Sequence, residues 1–326
     1  MSNERYDVVG IGNALVDVLS QEQDDFLDRF ELTSGAMALI DTARAEELYA
    51  AMASDQEVSG GSAANTLAGI ASFGGSAAFI GRVADDGLGR VFDHDMRALG
   101  VRFVSLPAID GEPTGRCLII ITPDAQRTMN TYLGAAADFA VDQLNADVIR
   151  ASKVTYLEGY LFDRDPAREA FHEAARIAHE AGAEVATTLS DSFCVTRHQD
   201  EWHKLIDHGT DILFANEAEI TTLFPGTFEQ AAATVRDKVK IACLTRSEHG
   251  SVNVAGEDTF EIPAVAVEKV VDTTGAGDLY AAGFLYGYTQ GEDLARCGEL
   301  GSIAAGAVIG HTGARPGASL AQLISQ

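Results

Sequence analysis

Asp272-Thr273-Thr274-Gly275-Ala276-Gly277-Asp278 joins two stretches of opposite character, and the architecture can be read outward from it. The apolar run Val265 to Val271 before it is strand-like, and Ala276 to Tyr288 after it is a helical run rich in small and aromatic residues. A strand that passes through a glycine-rich turn into a helix is a building unit of α/β proteins. The small residues Gly275, Ala276 and Gly277 let the backbone approach a ligand closely. Their amide N–H groups would open the helix, where unpaired donors and the helix dipole favour an anion.

Asp278 lies in that first turn and has two possible jobs. It can cap the helix and complement its dipole. Alternatively, it faces the same pocket as a bound anion and accepts a proton from an attacking hydroxyl. Two glycines, two threonines and flanking aspartates in seven residues exceed what a cap requires, which favours the chemical role.

Strand-like and helical runs alternate through the second half of the chain. Lys153 to Leu157, Ala183 to Leu189, Asp211 to Ala215, Lys240 to Thr245 and Ser251 to Ala255 are strand-like, with helical runs at Pro166 to Ala181 and around Glu201 to Asp207. The pattern predicts a doubly wound, mostly parallel sheet with helices on both faces. The first third departs from it. Val101 to Leu106, Gly115 to Thr122 and Arg127 to Leu133 are short runs linked by Asp110-Gly111 and Pro123-Asp124 turns, which resemble antiparallel hairpins. A small β-sheet lid is therefore expected from about residues 14–41 and 101–134, within one domain spanning 1–326.

The chain has 326 residues, 46% of them apolar, and a net charge of −26, so it can bury a large core but would repel nucleic acid and anionic membranes. No apolar run is long enough for a membrane span, and residues 1–7 have no apolar signal region, so a cytoplasmic, unprocessed protein is expected. Four dispersed cysteines (Cys117, Cys194, Cys243 and Cys297) fit a reducing compartment and argue against a zinc site or disulfide scaffold. His198, His203 and His208, five apart, read as a solvated helix rather than a metal site.

Other segments also carry possible chemistry. Gly60-Gly61-Ser62-Ala63-Ala64-Asn65 opens a helical run from Ser62 to Phe73, and Asn65 offers both a donor and an acceptor. Gly60 and Gly61 could bring backbone close to a polyol, or simply form a tight helix entry. Gly10-Ile11-Gly12 ends a strand, but Leu15 stands where a dinucleotide-binding loop wants its third glycine, which weakens an oxidoreductase reading. Asn216 and Glu219 begin a helix and would form an N-cap with acidic first-turn residues unless they serve a metal.

The run Asp272 to Leu285 resembles the second signature of the PfkB, or ribokinase-like, carbohydrate kinases, and Gly60 to Asn65 resembles the first. Gly81 to Gly89 is similar to a third family segment, and the likeness extends from Gly10 to Pro316. The resemblance implies a ribokinase-like α/β fold and an ATP-dependent phosphotransferase with an alcohol group as acceptor. By that resemblance Asp278 is the base, and Gly275, Ala276 and Gly277 form the anion hole. Asp17, Gly61 and Asn65 hold the acceptor, where a carboxylate suits a cis-diol. Asn216 and Glu219 match the family's N-x-x-E motif and imply Mg2+ held through water. Thr245, Gly250, Thr274 and Asn216 are expected against the nucleotide, with Ser247 replacing a usual glycine. Asp272 is expected near a possible monovalent cation, K+.

Gly12 to Asp17 and Arg127 to Ala136 look most like the adenosine kinase branch, which implies Arg127 as an electrophilic clamp on the phosphates. The expected reaction moves the γ-phosphate of ATP to a primary hydroxyl, best read as adenosine to its 5′-monophosphate. Phe162 and Tyr132 are candidates to sandwich a purine, or else core aromatics. A sugar kinase acting on ribose or fructose is the alternative, and a non-catalytic nucleoside-binding regulator is a reading of another class. The oligomer is expected to be a monomer or a homodimer paired through the lid.

Overall fold

The computed structural model describes residues 5–54, 56–124 and 126–325. The expectation drawn from the first residues of the chain falls largely on 1–4, outside the described residues. Strand β1 (Tyr6–Ile11) opens a nine-stranded sheet, while β2 (Leu15–Gln21), β3 (Met37–Leu39) and β4 (Gln56–Gly60) belong to a smaller one. Strands β5 (Ala77–Ile80) and β6 (Val101–Phe103) return to the large sheet, and β7 (Gly115–Ile121) and β8 (Arg127–Tyr132) complete the small one. The rest of the large sheet is β9 (Ser152–Glu158), β10 (Glu184–Thr188), β11 (Ile212–Asn216), β12 (Ile241–Thr245), β13 (Ser251–Ala255) and β14 (Asp258–Ile262).

The large sheet runs β14-β13-β12-β11-β10-β9-β1-β5-β6 and is parallel from β12 to β6, with an antiparallel hairpin at the other edge. Both faces are covered, which is why its strands read as nearly continuous apolar runs. Val8, Phe79, Val154 and Phe214 pack on one side with helices Ser62–Phe73 and Ala276–Gln290. Val9, Ile80, Leu157 and Leu213 pack on the other with helices Asp165–Glu180 and Gln199–Gly209. The neighbours Val8 and Val9 thus face opposite cores, as the period of two requires.

Three details depart from the sequence reading. Val101–Phe103 pairs parallel with β5 in the large sheet, so the stretch from 101 does not belong wholly to the small sheet, and the small sheet gains the polar strand β4 instead. The small sheet is mixed rather than a set of hairpins: β2 pairs parallel with β7, and β3 with β8. Val265 to Val271 is not a strand. The hairpin of β13 and β14 already occupies that edge, so these valines find no ladder and Val270 is 54% exposed.

Candidate active site

Chain order reverses around β1, whose neighbours are β5 on one side and β9 on the other. Ligands of open α/β sheets bind beyond the carboxyl ends of strands at such a switch point. Gly12 and Asn13 follow β1 there, and Glu158 ends β9. Glu158 is 1% exposed and accepts hydrogen bonds from the Asn13 amide at 3.2 Å, the Asn13 carboxamide at 2.8 Å and the Ala63 amide at 2.8 Å. Burial pushes its carboxyl up to about 7, with those three donors opposing the shift. Any side chain at Gly12 would collide with it, since a Cβ there would lie 2.3 Å from Oε2. Glu158 was not found from sequence, although a carboxylate at the carboxyl end of a switch-point strand is the signal that could have found it.

Helix Ser62–Phe73 points its first turn at the loop 272–278. Ser62 Oγ donates to Asp278 Oδ1 at 2.6 Å, and the Asn65 carboxamide donates to Oδ2 at 2.9 Å. Burial raises the Asp278 carboxyl above its ordinary value, against these two donors and the charge of Arg315. Gly61 has φ +96, and a Cβ there would lie 2.3 Å from the Asn13 carbonyl oxygen, so only glycine fits the entry. Gly275 begins helix Ala276–Gln290 at φ +81, and a Cβ at Gly277 would point into open space. The amide of Ala276 donates to the Thr273 carbonyl at 3.2 Å.

Asp17 reaches the same cleft from β2, beside Gly60. Burial pushes its carboxyl up to about 6, opposed by the charges of Arg315 and Arg127. The β-register lines Asp17 up with Cys117, Thr131 and Leu39, and the next row on that face is Leu19, Ile119, Met129 and Met37. Arg127 shares this face and binds the Asp272 carboxylate. Asp272 also accepts from the amide and hydroxyl of Thr274, at 2.9 and 2.6 Å, and from the Gly313 amide at 2.9 Å. Burial opposes its ionisation, but these donors and Arg127 hold the carboxyl below its ordinary value.

Asn216 and Glu219 form a reciprocal capping box: the Asn216 side chain accepts from the Glu219 amide at 2.9 Å, and Glu219 accepts from the Asn216 amide at 3.0 Å. Glu219 is 6% exposed, and burial, together with the charges of Asp191 and Asp278, pushes its carboxyl up to about 7. Among the described residues no three His, Cys, Asp or Glu side chains gather as a metal set. Thr245 ends β12, and Gly250 closes the following turn at φ +82. Ser247 adopts φ +51, in the left-handed region that favours glycine. Phe162 and Tyr132 are core residues, Phe162 stacking on Trp202 at 4.0 Å and Tyr132 donating to Glu112 at 2.5 Å. Arg315, also not found from sequence, enters the site from the C-terminal loop. A groove of about 680 Å³ at the opposite ends of the strands holds Lys153 and Lys240, but each already faces carboxylates within 3.0 Å.

A doubly wound sheet, a second small sheet facing its switch point and a glycine-rich helix entry carrying a carboxylate define a small-molecule kinase. The chain belongs to the pfkB family of carbohydrate kinases, whose sequence profile matches residues 33–320. It is similar to the crystal structure of adenosine kinase from Sinorhizobium meliloti, with 51% identity, a TM-score of 0.90 and 99% of each chain covered. A probable sugar kinase from Rhizobium etli is 48% identical, also at TM-score 0.90, over 99% of this chain and 98% of that one. The adenosine kinase of Saccharomyces cerevisiae is 27% identical over 94% of this chain and 95% of its own. The fold is that of the ribokinase-like adenosine kinase structures. Among the described residues no helix is long and apolar enough to cross a membrane.

Proposed function

We propose that the protein phosphorylates the primary 5′-hydroxyl of adenosine, or of a closely related nucleoside, with ATP as donor. The observation that carries this proposal is the convergence of Asp278, Ser62 and Asn65 at the glycine-rich helix entry. Asp17 accepts hydrogen bonds from the ribose diol, and Asn65 holds Asp278 toward the hydroxyl to be activated. Asp278 takes the proton as that oxygen attacks the γ-phosphorus, the bond from phosphorus to the β–γ bridging oxygen breaks with its electron pair leaving on ADP, and the amides around Gly275 and Gly277 receive the growing charge. Arg127, whose Nε is buried without a partner among the described residues, offers a donor to the phosphates. Thr245, Gly250 and Thr274 line the nucleotide side, and the small sheet acts as a lid over the acceptor.

Magnesium, if it entered with the nucleotide, would neutralise part of the phosphate charge. Both Glu219 oxygens already accept from Asn216, from its backbone amide at 3.0 Å and its carboxamide at 2.6 Å, so the pair would reach a hydrated cation only through its waters, where Asp191 and Asp278 add negative potential. A monovalent cation fits Asp272 poorly, because both its oxygens already accept from Thr274, Gly313 and Arg127.

The apolar row Leu19, Ile119, Met129 and Met37 beyond Asp17 favours an acceptor with a flat apolar base over a free sugar. Similarity to the Sinorhizobium adenosine kinase supports the same choice. ADP release should be measured with adenosine, other nucleosides, ribose and fructose. Turnover confined to the sugars would overturn the nucleoside assignment, and no turnover with any acceptor would favour a non-catalytic regulator.

A further inference from the structure

Arg315 carries a guanidinium that makes no ion pair among the described residues and whose Nε is sealed from solvent without a partner. Its other nitrogens donate to the Ala64 carbonyl at 2.6 Å, the Ser59 carbonyl at 2.8 Å and Ser59 Oγ at 3.0 Å. An enclosed cation held by neutral oxygens is unfavourable unless its charge is used nearby. Ser59 lies on β4 one residue before Gly60, against which Asp17 packs, and Ala64 immediately precedes Asn65. The two residues before Arg315 touch the phosphate loop: the Gly313 amide donates to Asp272 at 2.9 Å, and Ala314 packs on Gly275.

We propose that Arg315 is a positioning residue of the transfer step, tying β4 and the helix entry at Ala64 to the phosphate loop and placing its charge beside the Asp17 and Asp278 carboxylates. This role rests on the reaction proposed above, in which those two carboxylates hold and activate the acceptor. Three consecutive residues, Gly313 to Arg315, then bridge the two halves of the site, so the acceptor grip and the anion hole are set by one short segment. The electrostatic part agrees with the site's charges. Arg315 opposes the burial shift of both carboxylates, and its own proton affinity falls to about 10 through burial, partly offset by Asp17, Asp95 and Asp278. Other groups act on the same two carboxylates. Arg127 also holds Asp17 down, and Asp17 faces the Cys117 thiol. Tyr156, Glu158, Tyr160 and Glu219 sense Asp278.

The test compares Arg315→Met and Arg315→Lys with wild type, using the pH profile of kcat/KM for the acceptor, its KM and the melting temperature. Arg315→Met should move the acid limb at least ~1 pH unit toward alkaline, because removing an opposite charge near a carboxylate raises its pKa by about that much. Arg315→Lys should keep the limb but raise the acceptor KM roughly 10-fold, since an ammonium cannot reproduce the planar fork. A folded Arg315→Met protein with the wild-type acid limb overturns the proposal. If that variant does not fold, an unchanged acceptor KM in Arg315→Lys overturns it. Wild-type turnover and the inactivity of Asp278→Asn, measured alongside, separate this outcome from failure of the reaction itself.

Discussion

The carboxamide of Asn65 donates to Oδ2 of Asp278 at 2.9 Å, joining two helix entries that are 213 residues apart in sequence. Asn65 occupies the first turn of helix Ser62–Phe73 and Asp278 that of helix Ala276–Gln290, and the two helices pack on the same face of the large sheet. A helix-capping aspartate would turn back on its own backbone. Asp278 instead receives both its side-chain donors, Ser62 and Asn65, from another element, which frees its own turn to present amides to an anion.

Replacing Asp278 with Asn keeps the shape and removes the base. Turnover should fall at least ~10³-fold, within the range for loss of a general base that also orients its acceptor. Binding of ATP, followed by calorimetry, should stay within a few-fold of wild type. Retention of a tenth of the activity in the purified variant would remove Asp278 from the reaction.

The elevated carboxyls predict a pH profile. Asp17 ionises at about 6, and Asp278 is shifted in the same direction, so the forms that accept protons and hydrogen bonds disappear as the medium acidifies. Accordingly kcat/KM for the acceptor should fall as pH drops through about 6, well above the ordinary aspartate range. An acid limb centred near 4 would mean that neither group is perturbed in solution.

How much of this was legible in the sequence depends on whether the deciding interaction is local. The loop 272–278 and the helix Ser62–Phe73 carry their own instructions in glycines and small residues, and both appear where the sequence places them. Val101 to Phe103 reads equally well as a lid strand or a sheet strand, and only the vacant edge beside β5 decides. Gln56–Gly60 has too few apolar residues to announce a strand; its partner β2 supplies the ladder. Glu158 and Arg315 were missed for a related reason, since each is defined by distant partners: Asn13 and Ala63 for one, Ser59 and Ala64 for the other.

Glu158 should leave a signature in stability. Its folded pKa of about 7 lies above the ordinary 4.5, so the folded protein binds this proton more tightly than the unfolded chain does. The resulting stabilisation is complete below about 4.5 and is lost as pH rises through about 7. A shift of that size corresponds to roughly 3 kcal/mol. Glu158→Gln removes the titration. Its urea midpoint, compared with wild type at pH 5 and pH 8, should change less across the interval. Parallel pH dependence of the two proteins would show that Glu158 is not elevated.

Glu219 is bound up in its capping box with Asn216, yet the negative potential of Asp191 and Asp278 acts on it. Chelation of magnesium should abolish turnover, and Glu219→Gln should raise the magnesium concentration for half-maximal activity about 10-fold, the scale of losses at outer-shell ligands. The glutamine can still accept from the Asn216 amide, so the melting temperature should move little. A lowered melting temperature with unchanged magnesium dependence would leave Glu219 as a cap alone.

Arg127 and Asp272 link the small sheet to the phosphate loop through the ion pair between them. Exposed pairs contribute little, but both partners here are mostly enclosed, so separating them leaves a carboxylate short of a donor. Arg127→Ala should therefore reduce kcat by one to two orders of magnitude through lost charge at the phosphates, an effect of about 1.4–2.8 kcal/mol. It should also uncover Asp272, which would still accept from Thr274 and Gly313 but have an oxygen open to a cation. Wild-type turnover should thus be nearly indifferent to exchanging potassium for a bulky organic cation, whereas Arg127→Ala should be stimulated by potassium. Strong potassium dependence in the wild type would mean that Arg127 leaves Asp272 during the reaction, and the ion pair would then be a closing contact of the resting enzyme rather than part of its working site.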